Sequence, residues 1–499
     1  MKARRFEVLN KKEIERIHQA SMSVLMRKGV KVEAEDLRDF FRKRGADVDD
    51  SEQVVRIPEE IVLWAVEQTP SRFVFYGRDP KFKVKIDTRS SHFCGLGTPT
   101  NLVDKDGGYR PTTLDDLRKH IILIDDLDNL TNDQMDIWPN DVQMTTIHVE
   151  AIRMWARWAR KPFGSGTLGY LASKDMMDMT AMVVGGMDKL MKKPRYVGIT
   201  SIVSPLKIDT AQGHGLKVFV EHNQPLTVTP EAMGGTTAPI TLAGLLVQHN
   251  AEVLAHITLA QIIKPGAAVM YGTCSTVADM RTGNVALGSF ETGLVTAGCA
   301  QMARFYGIPS RGIGGATDSK LLDIQCGFER MMSLYAAYMA GINYITCAGT
   351  LEGTVSGAHE LMVLDNELAG MVQRVGRGID VNDETLAVDL IADLDWSEAY
   401  IDKMHTAEHF RSELHLSDLF DHTVREAWVD AGSKTVLGRC AEKVEEILAN
   451  HEPNKLSRKL EDDMQRFIDE VAARSIEEFY KYEGLSAELP SYVSDQSDG

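Results

Sequence analysis

Residues 268–316 read AVMYGTCSTVADMRTGNVALGSFETGLVTAGCAQMARFYGIPSRGIGGA. A short apolar segment, Ala268–Thr273, passes through a Gly-, Ser- and Thr-rich stretch into a helical segment, and a second short segment follows at Ser310–Ala316. Strand, helix and strand in that order predict a βαβ unit, with parallel strands and a right-handed crossover. The alternation extends in both directions. Further candidate strands are His92–Val103, Gln134–Trp138, Phe163–Leu168, Tyr196–Val203, Leu226–Ala232 and Tyr344–Ala348. Each of the eight precedes a helical segment of roughly 15–25 residues. Eight units over ~280 residues match an α/β fold of the (β/α)8 barrel type with insertions. A doubly wound open sheet is the rival, but no GxGxxG follows the first strand and eight units fit closure better.

The flanks read differently. Residues 1–88 form an N-terminal helical and hairpin region. Helices are expected at Lys12–Lys28, Glu33–Lys43 and Pro58–Gln68, the last with Pro in its first turn. VVRI at 54–57 reads as a short strand, and the alternation in Arg72–Asp87 as a β-hairpin. The barrel occupies 89–370. A charged helical region covers 371–485, with helices expected at Ser397–Met404, where Ser is the N-cap, Thr423–Asp430 and Ser433–Ala449. In the last of these, Glu442, Glu445 and Glu446 are expected to face solvent. The Ser/Asp-rich tail 486–499 is expected to fray.

Composition narrows the function. At 499 residues the chain exceeds the ~250–300 at which one core stops growing, so a large domain with accessories is expected. Lys and Arg total 55 against 72 Asp and Glu, a net charge of −17, which argues against a nucleic-acid or anionic-membrane partner. Six cysteines without a CxxC pair make neither a disulfide framework nor a zinc ribbon, and suit a cytoplasmic protein with reduced thiols. The basic start MKARR is followed at once by charges rather than an apolar run. The uncharged stretches Ala232–Ala251 and Met331–Leu351 are too diluted to span a membrane.

In a (β/α)8 barrel the chemistry lies at the C-terminal ends of the strands. Those ends carry Trp138 (DIWPND), Phe163 (FGSGT), Glu231 (TPEAMGG), Tyr271 and Cys274 (MYGTCST), Arg311 and Asp318 (SRGIGGATDSK), and Glu352 and His359 (TLEGTVSGAHE). Phe93 and Tyr344 lie on the first and last strands. Aromatic faces with nearby carboxylates hold quaternary ammonium groups, and Trp138, before Pro139 and Asn140, is the leading cage candidate. The competing reading of each aromatic is barrel core. Arg311 suits a substrate carboxylate or a structural ion pair. His359 suits a site group or a helix-start histidine bonded to backbone. Cys274 and Cys347 have no implied activating partner and read as inert thiols. His92, Glu231, Asp279, Glu352 and His359 match no metal spacing.

Three runs carry a resemblance: MGGTTAPITLAGLLVQHNAEVLAHI (233–257), GGATDSKLLDIQCGFE (314–329) and AGTLEGTVSGAHELMVLDNELAGM (348–371). They resemble the trimethylamine methyltransferase family. GLGTPTNLVDKDGGYRPTTLDDLRKHIILIDDLDNL (95–130) and HTAEHFRSELHLSDLFD (405–421) are similar to it as well, so the resemblance spans about residues 10–453. It implies a TIM barrel that transfers a methyl group from a methylamine or quaternary amine to Co(I) of a separate corrinoid protein. The founding trimethylamine enzymes carry pyrrolysine, whose position would fall near Gly314–Asp318. Every residue here is standard, which the resemblance ties to the non-pyrrolysine branch and its substrates: glycine betaine, proline betaine, carnitine and γ-butyrobetaine.

The chemistry agrees with that branch. A quaternary nitrogen leaves as a neutral tertiary amine without prior activation, and Co(I) supplies the nucleophile, so the protein's task is alignment. A cation cage should be modest, because the charge fades in the transition state. No DxHxxG cobalamin motif is present, so the corrinoid is expected on a partner and no cofactor bound tightly by this chain. The leading expectation is a glycine betaine methyltransferase. Phe93, Trp138 and Tyr271 would surround the ammonium, Glu231 or Glu352 would add charge, and Arg311 or His359 would hold the carboxylate. Phe163 and Asp318 complete the expected substrate set. The alternatives are a barrel lyase with Glu231 or Asp279 as acid/base, or a non-catalytic barrel that binds a betaine or docks a corrinoid protein. A homo-oligomer is expected.

Overall fold

Eight short parallel strands and the helices between them build the centre of the structure. The computed structural model describes residues 2–3, 5–95, 97–132 and 137–483. The barrel strands are β1 (His92–Gly95), β2 (Leu130–Asn132), β3 (Phe163–Gly166), β4 (Tyr196–Ile202), β5 (Leu226–Pro230), β6 (Val269–Gly272), β7 (Ser310–Ile313) and β8 (Tyr344–Ala348). The main helices that follow them are α1 (Leu114–Asp126), α2 (Ile147–Trp158), α3 (Gly169–Val184), α4 (Thr210–Glu221), α5 (Leu242–Ile263), α6 (Phe290–Tyr306), α7 (Ile324–Ala340) and α8 (His359–Arg377). Hydrogen bonding runs β3-β4-β5-β6-β7-β8-β1-β2 with every pair parallel, the strand order of a nearly closed barrel. Close contact between layers depends on small residues: a Cβ on Gly198 of β4 would come within 2.6 Å of the Phe219 ring of α4.

At the seam between β2 and β3 a side chain does the bridging. Lys161 is buried just before β3, and its ammonium donates to the carbonyls of Ile124, Leu127 and Leu130, each at 2.7 Å. Burial lowers its pKa to about 8. β2 lies upstream of the expected Gln134–Trp138. Residues 134–136 fall outside those described, and Ile137 and Trp138 belong to the following connection. The apolar pair Ile137-Trp138 drew the reading downstream. The real strand ends on a buried polar residue, Asn132, whose amide donates to the Tyr344 hydroxyl at 2.5 Å.

The hairpin Arg72–Tyr76 and Lys83–Asp87 forms as expected. Its Phe75, Val84 and Ile86 pack with Cys94, Val197, Met270 and Tyr344 of the barrel strands. The N-terminal helices are Lys11–Arg27, Glu35–Arg44 and Glu59–Gln68, with Pro58 as N-cap rather than inside the first turn. Strand Val54–Arg56 lies in a four-stranded sheet, which joins Val30–Val32 and Asp47–Asp49 to Lys207–Ile208 after β4.

Beyond α8, helix Val436–Asn450 is capped by Thr435 and packs on α8 and α1, with Glu442, Glu445 and Glu446 exposed. Helix Arg425–Asp430 matches the expected Thr423–Asp430. The helix expected at Ser397–Met404 is absent; a helix runs over Met404–Glu413 instead. The Ser397 hydroxyl donates to Asp395 at 2.5 Å, a local turn that competes with helix capping. Among the described residues no helix is long and apolar enough to cross a membrane.

Candidate active site

The C-terminal ends of the strands surround a cavity of ≈ 370 Å³. Ser165 and Gly166 of β3, Ile199 and Ser201 of β4, Glu231 after β5, Cys274 after β6, Arg311 and Ile313 of β7, and Cys347 of β8 line it. Loop residues complete the wall: Gly97, Thr98, Met233, Thr276, Val285, Leu287, Gly353 and Thr354. Of the expected site residues, Glu231 and Arg311 meet here.

Arg311 is the chemically distinctive group. Strand alternation turns it inward with Ile313, and its side chain is fully buried. Nη1 donates to the Thr273 carbonyl at 2.8 Å and to Cys274 Sγ at 2.6 Å. Among the described residues Nε and Nη2 have no hydrogen-bond partner, and no carboxylate pairs with the guanidinium. A buried cation with two uncommitted donors is costly unless an anion completes it. Among the described residues that line the cavity, Glu231 is the carboxylate; it is exposed, and no described residue pairs with it. The cavity is therefore polarised, with a cationic buried end and an anionic rim.

Cys274 and Cys347 face the same space. Burial raises the pKa of both thiols, Cys347 to about 12, against the opposing effect of Arg311. Burial thus disfavours the thiolate form that a nucleophilic cysteine needs.

The expected aromatic residues go elsewhere. Phe93 alternates with inward-facing Cys94, so it points out and stacks on Tyr338 of α7 at 5.8 Å between ring centroids. Phe163 stacks on Trp155 of α2 at 6.0 Å. Tyr271 points to α5, where its hydroxyl donates to Asn250 at 3.0 Å. Trp138 is half-buried, packs against the main core, and its carbonyl accepts the Thr112 hydroxyl at 2.6 Å. No described residue lining the cavity is aromatic. The period of two decides this: strand-end position alone does not say which face a ring occupies.

The remaining candidates shape the walls. Asp318 accepts the backbone N–H groups of Leu287 and Gly288 at 3.0 and 2.9 Å, tying the β7 loop to the β6 loop; burial raises its pKa. Glu352 accepts the Ser356 hydroxyl at 2.6 Å. His359 begins α8 with Nε2 3.4 Å from the Asp116 carbonyl, and burial lowers its pKa to about 4.

Spacing gave no warning of strain at the end of β8 and in the loop after it. Cys347, Glu352 and Thr354 all have positive φ, at 90°, 54° and 77°. Such residues cost roughly 1–3 kcal/mol each and persist where the surroundings over-determine them. Here the brace is a buried ion pair. Arg330 of α7 donates to both oxygens of Asp365 of α8 and to the Thr350 carbonyl, while Asp365 accepts the Gly349 N–H at 2.7 Å. A charged residue inside the otherwise uncharged buried face of α7 was the available signal.

Residues 1–475 match the profile of the family described as trimethylamine methyltransferase (MTTB). The chain belongs to the trimethylamine methyltransferase family. The enzyme is 33% identical over 463 residues to trimethylamine methyltransferase MttB of Desulfitobacterium hafniense (strain DSM 10664 / DCB-2), covering 92% of each chain. It is 31% identical over 468 residues to glycine betaine methyltransferase of Desulfitobacterium hafniense (strain Y51), covering 93% of this chain and 97% of that one. Among solved structures, the Methanosarcina barkeri monomethylamine methyltransferase (MtmB) aligns with a TM-score of 0.47 at 14% identity, over 95% of this chain and 97% of the other. The enzyme is a methyltransferase, and the expected family holds.

Proposed function

We propose that this enzyme moves a methyl group from a small quaternary amine, glycine betaine before proline betaine, carnitine or γ-butyrobetaine, to Co(I) of a separate corrinoid protein. The observation that carries the reading is the polarity of the cavity: Arg311 buried with two guanidinium nitrogens that no described residue engages, and Glu231 open at the rim. A betaine is a zwitterion of matching polarity. Its carboxylate lies against the Arg311 fork, and its ammonium rises toward Glu231, which leaves an N-methyl facing the opening. The carbon–nitrogen bond breaks with its pair kept by nitrogen, and the methyl carbon bonds to cobalt through the cobalt pair. The leaving group is the neutral tertiary amine.

The enzyme's own residues orient the substrate and exclude water; none needs to act as nucleophile. Burial, which raises the pKa of the Cys274 and Cys347 thiols, agrees with that division of labour. Glu231 and the Met233 thioether in place of an aromatic cage suit a reaction whose positive charge disappears in the transition state. The likeness to a protein named glycine betaine methyltransferase supports the choice of substrate.

The test is the Co(I) to methyl-Co(III) absorbance change with purified enzyme and a reduced corrinoid protein. The panel is trimethylamine, choline and the four betaines. Glycine betaine should respond first, and choline and trimethylamine, which lack a carboxylate, should not. Response to trimethylamine alone would overturn the substrate class. Silence throughout, with betaine binding intact by calorimetry, would turn the reading to a binding barrel.

A further inference from the structure

We propose that a second cavity, at the opposite end of the barrel from the active site, binds a small polyanion of the phosphate class, of the size of pyrophosphate or a nucleoside diphosphate. The cavity measures ≈ 550 Å³. Arg89 and Ser90 in its wall lead into β1, and Gly341 precedes β8, so it lies where the strands begin. Four arginines line it: Arg5, Arg89, Arg374 and Arg377. Among the described residues no carboxylate does. In a chain of net charge −17, composition alone would place more carboxylates than cations around such a space.

Two of the four arginines have structural work. Arg374 donates to the Glu413 carbonyl, to the Glu413 carboxylate at 3.1 Å and to the Gly378 carbonyl at 2.9 Å; Arg377 donates to the Ser412 carbonyl at 2.8 Å. Both stand in the last turn of α8, where cations offset the helix carbonyls. Arg5 and Arg89 make no ion pair among the described residues. Arg5 faces another cation instead. A Cβ on Gly341 would lie 3.2 Å from Arg5 Nε and 3.5 Å from Arg304 Nη1, so two guanidinium groups meet over this glycine. The Arg304 ion pair with Glu7 is stretched to 3.8 Å, and among the described residues its buried Nη2 has no hydrogen-bond partner. Burial, and after it the charge of Arg5, lower the Arg304 pKa to about 10. The Phe6 N–H donates to the Met339 carbonyl at 2.9 Å, which holds Arg5 in place. Like charges held together and half-buried are unfavourable until an anion joins them. Guanidinium forks match phosphate oxygens in pairs, and the lining holds arginine without lysine. A lone carboxylate would neutralise one arginine, whereas a diphosphate spans several. The volume lies within the ~300–1,000 Å³ of small-molecule sites.

The experiment is titration calorimetry on the full chain in about 0.15 M salt, with pyrophosphate, ADP and citrate as probes and no divalent metal. Pyrophosphate and ADP should each bind once per chain, at least about tenfold more tightly than citrate, and more weakly as salt is added. ADP tighter than pyrophosphate would name a nucleotide as the source of the phosphate; the reverse order would name an inorganic ligand. Arg5→Ala and Arg89→Ala should each weaken pyrophosphate at least about tenfold. Neither side chain holds another part of the chain by an ion pair among the described residues, so the thermal midpoint should stay within about 2 °C. Arg311→Met should leave pyrophosphate affinity unchanged, because Arg311 lines the other cavity. Silence with both phosphate probes would overturn the proposal. Citrate binding as tightly as pyrophosphate would overturn the phosphate class. Loss of binding in Arg311→Met with none in Arg5→Ala or Arg89→Ala would overturn the location and put the anion in the active site.

Discussion

Replacing Arg311 by Met separates binding from folding. The guanidinium is buried with one backbone acceptor, one sulfur contact and two unused donors, and no described counter-ion. Removing one partner of a buried, hydrogen-bonded charge pair costs about 2–5 kcal/mol. If that partner is the substrate carboxylate, the dissociation constant for glycine betaine rises by roughly 30- to 4,000-fold. The free protein should not suffer in proportion, because an apolar side chain of similar length relieves an uncompensated buried charge; stability should hold or rise by ~1–4 kcal/mol. Arg311→Lys keeps the charge but loses the fork, so its affinity should fall between the two. Titration calorimetry with glycine betaine and with choline, alongside urea denaturation, reads all of this. Choline affinity should stay near its wild-type value. A betaine constant changed less than threefold, or a lower denaturation midpoint with equal losses for both ligands, would refute the anchoring role and make Arg311 a structural residue.

Three further outcomes follow from the same geometry. Glu231→Gln should raise KM for a betaine only a few-fold, since an exposed ion pair contributes about 0.2–1 kcal/mol, and the difference should shrink with added salt. A hundredfold loss would mean that substrate closes the rim and desolvates the carboxylate. Asp365→Ala strands the fully buried Arg330 and should cost about 3–5 kcal/mol in urea unfolding; a loss below ~1 kcal/mol would deny the brace on the β8 loop. Glu252 of α5 accepts from Ser204 and from the Leu206 N–H, both at 2.8 Å, and burial raises its pKa from 4.5 to about 7. The folded state holds this proton more tightly than the unfolded one. Its stabilising effect is complete below pH 4.5 and is lost as pH rises to about 7, a fall of at most ~3 kcal/mol that Glu252→Gln should flatten. An unchanged pH profile in the variant would contradict the assignment.

Periodicity and order carried the architecture. Strand and helix alternated often enough between His92 and Arg377 to leave a barrel as the consistent closure, and seven of the eight strands fall within their expected ranges. The exception, Leu130–Asn132, is three residues long and ends in a polar core residue, so it has no apolar signature to read. Arg311 was visible because a cation at a strand end in a barrel has few explanations, and Glu231 because it follows β5 directly.

What chain order could not supply was facing. Phe93, Phe163 and Tyr271 stand on strands, and a one-residue step moves a ring from the lumen to the helix layer. The strain at Cys347, Glu352 and Thr354, and the Arg330–Asp365 brace beneath it, depend on residues far apart in sequence. The sequence by itself determined the repeating unit, the family and the residues available at the mouth, because these follow from local pattern and composition. Only the tertiary structure decided which of them share the cavity, because that depends on strand register and on charges buried without a partner.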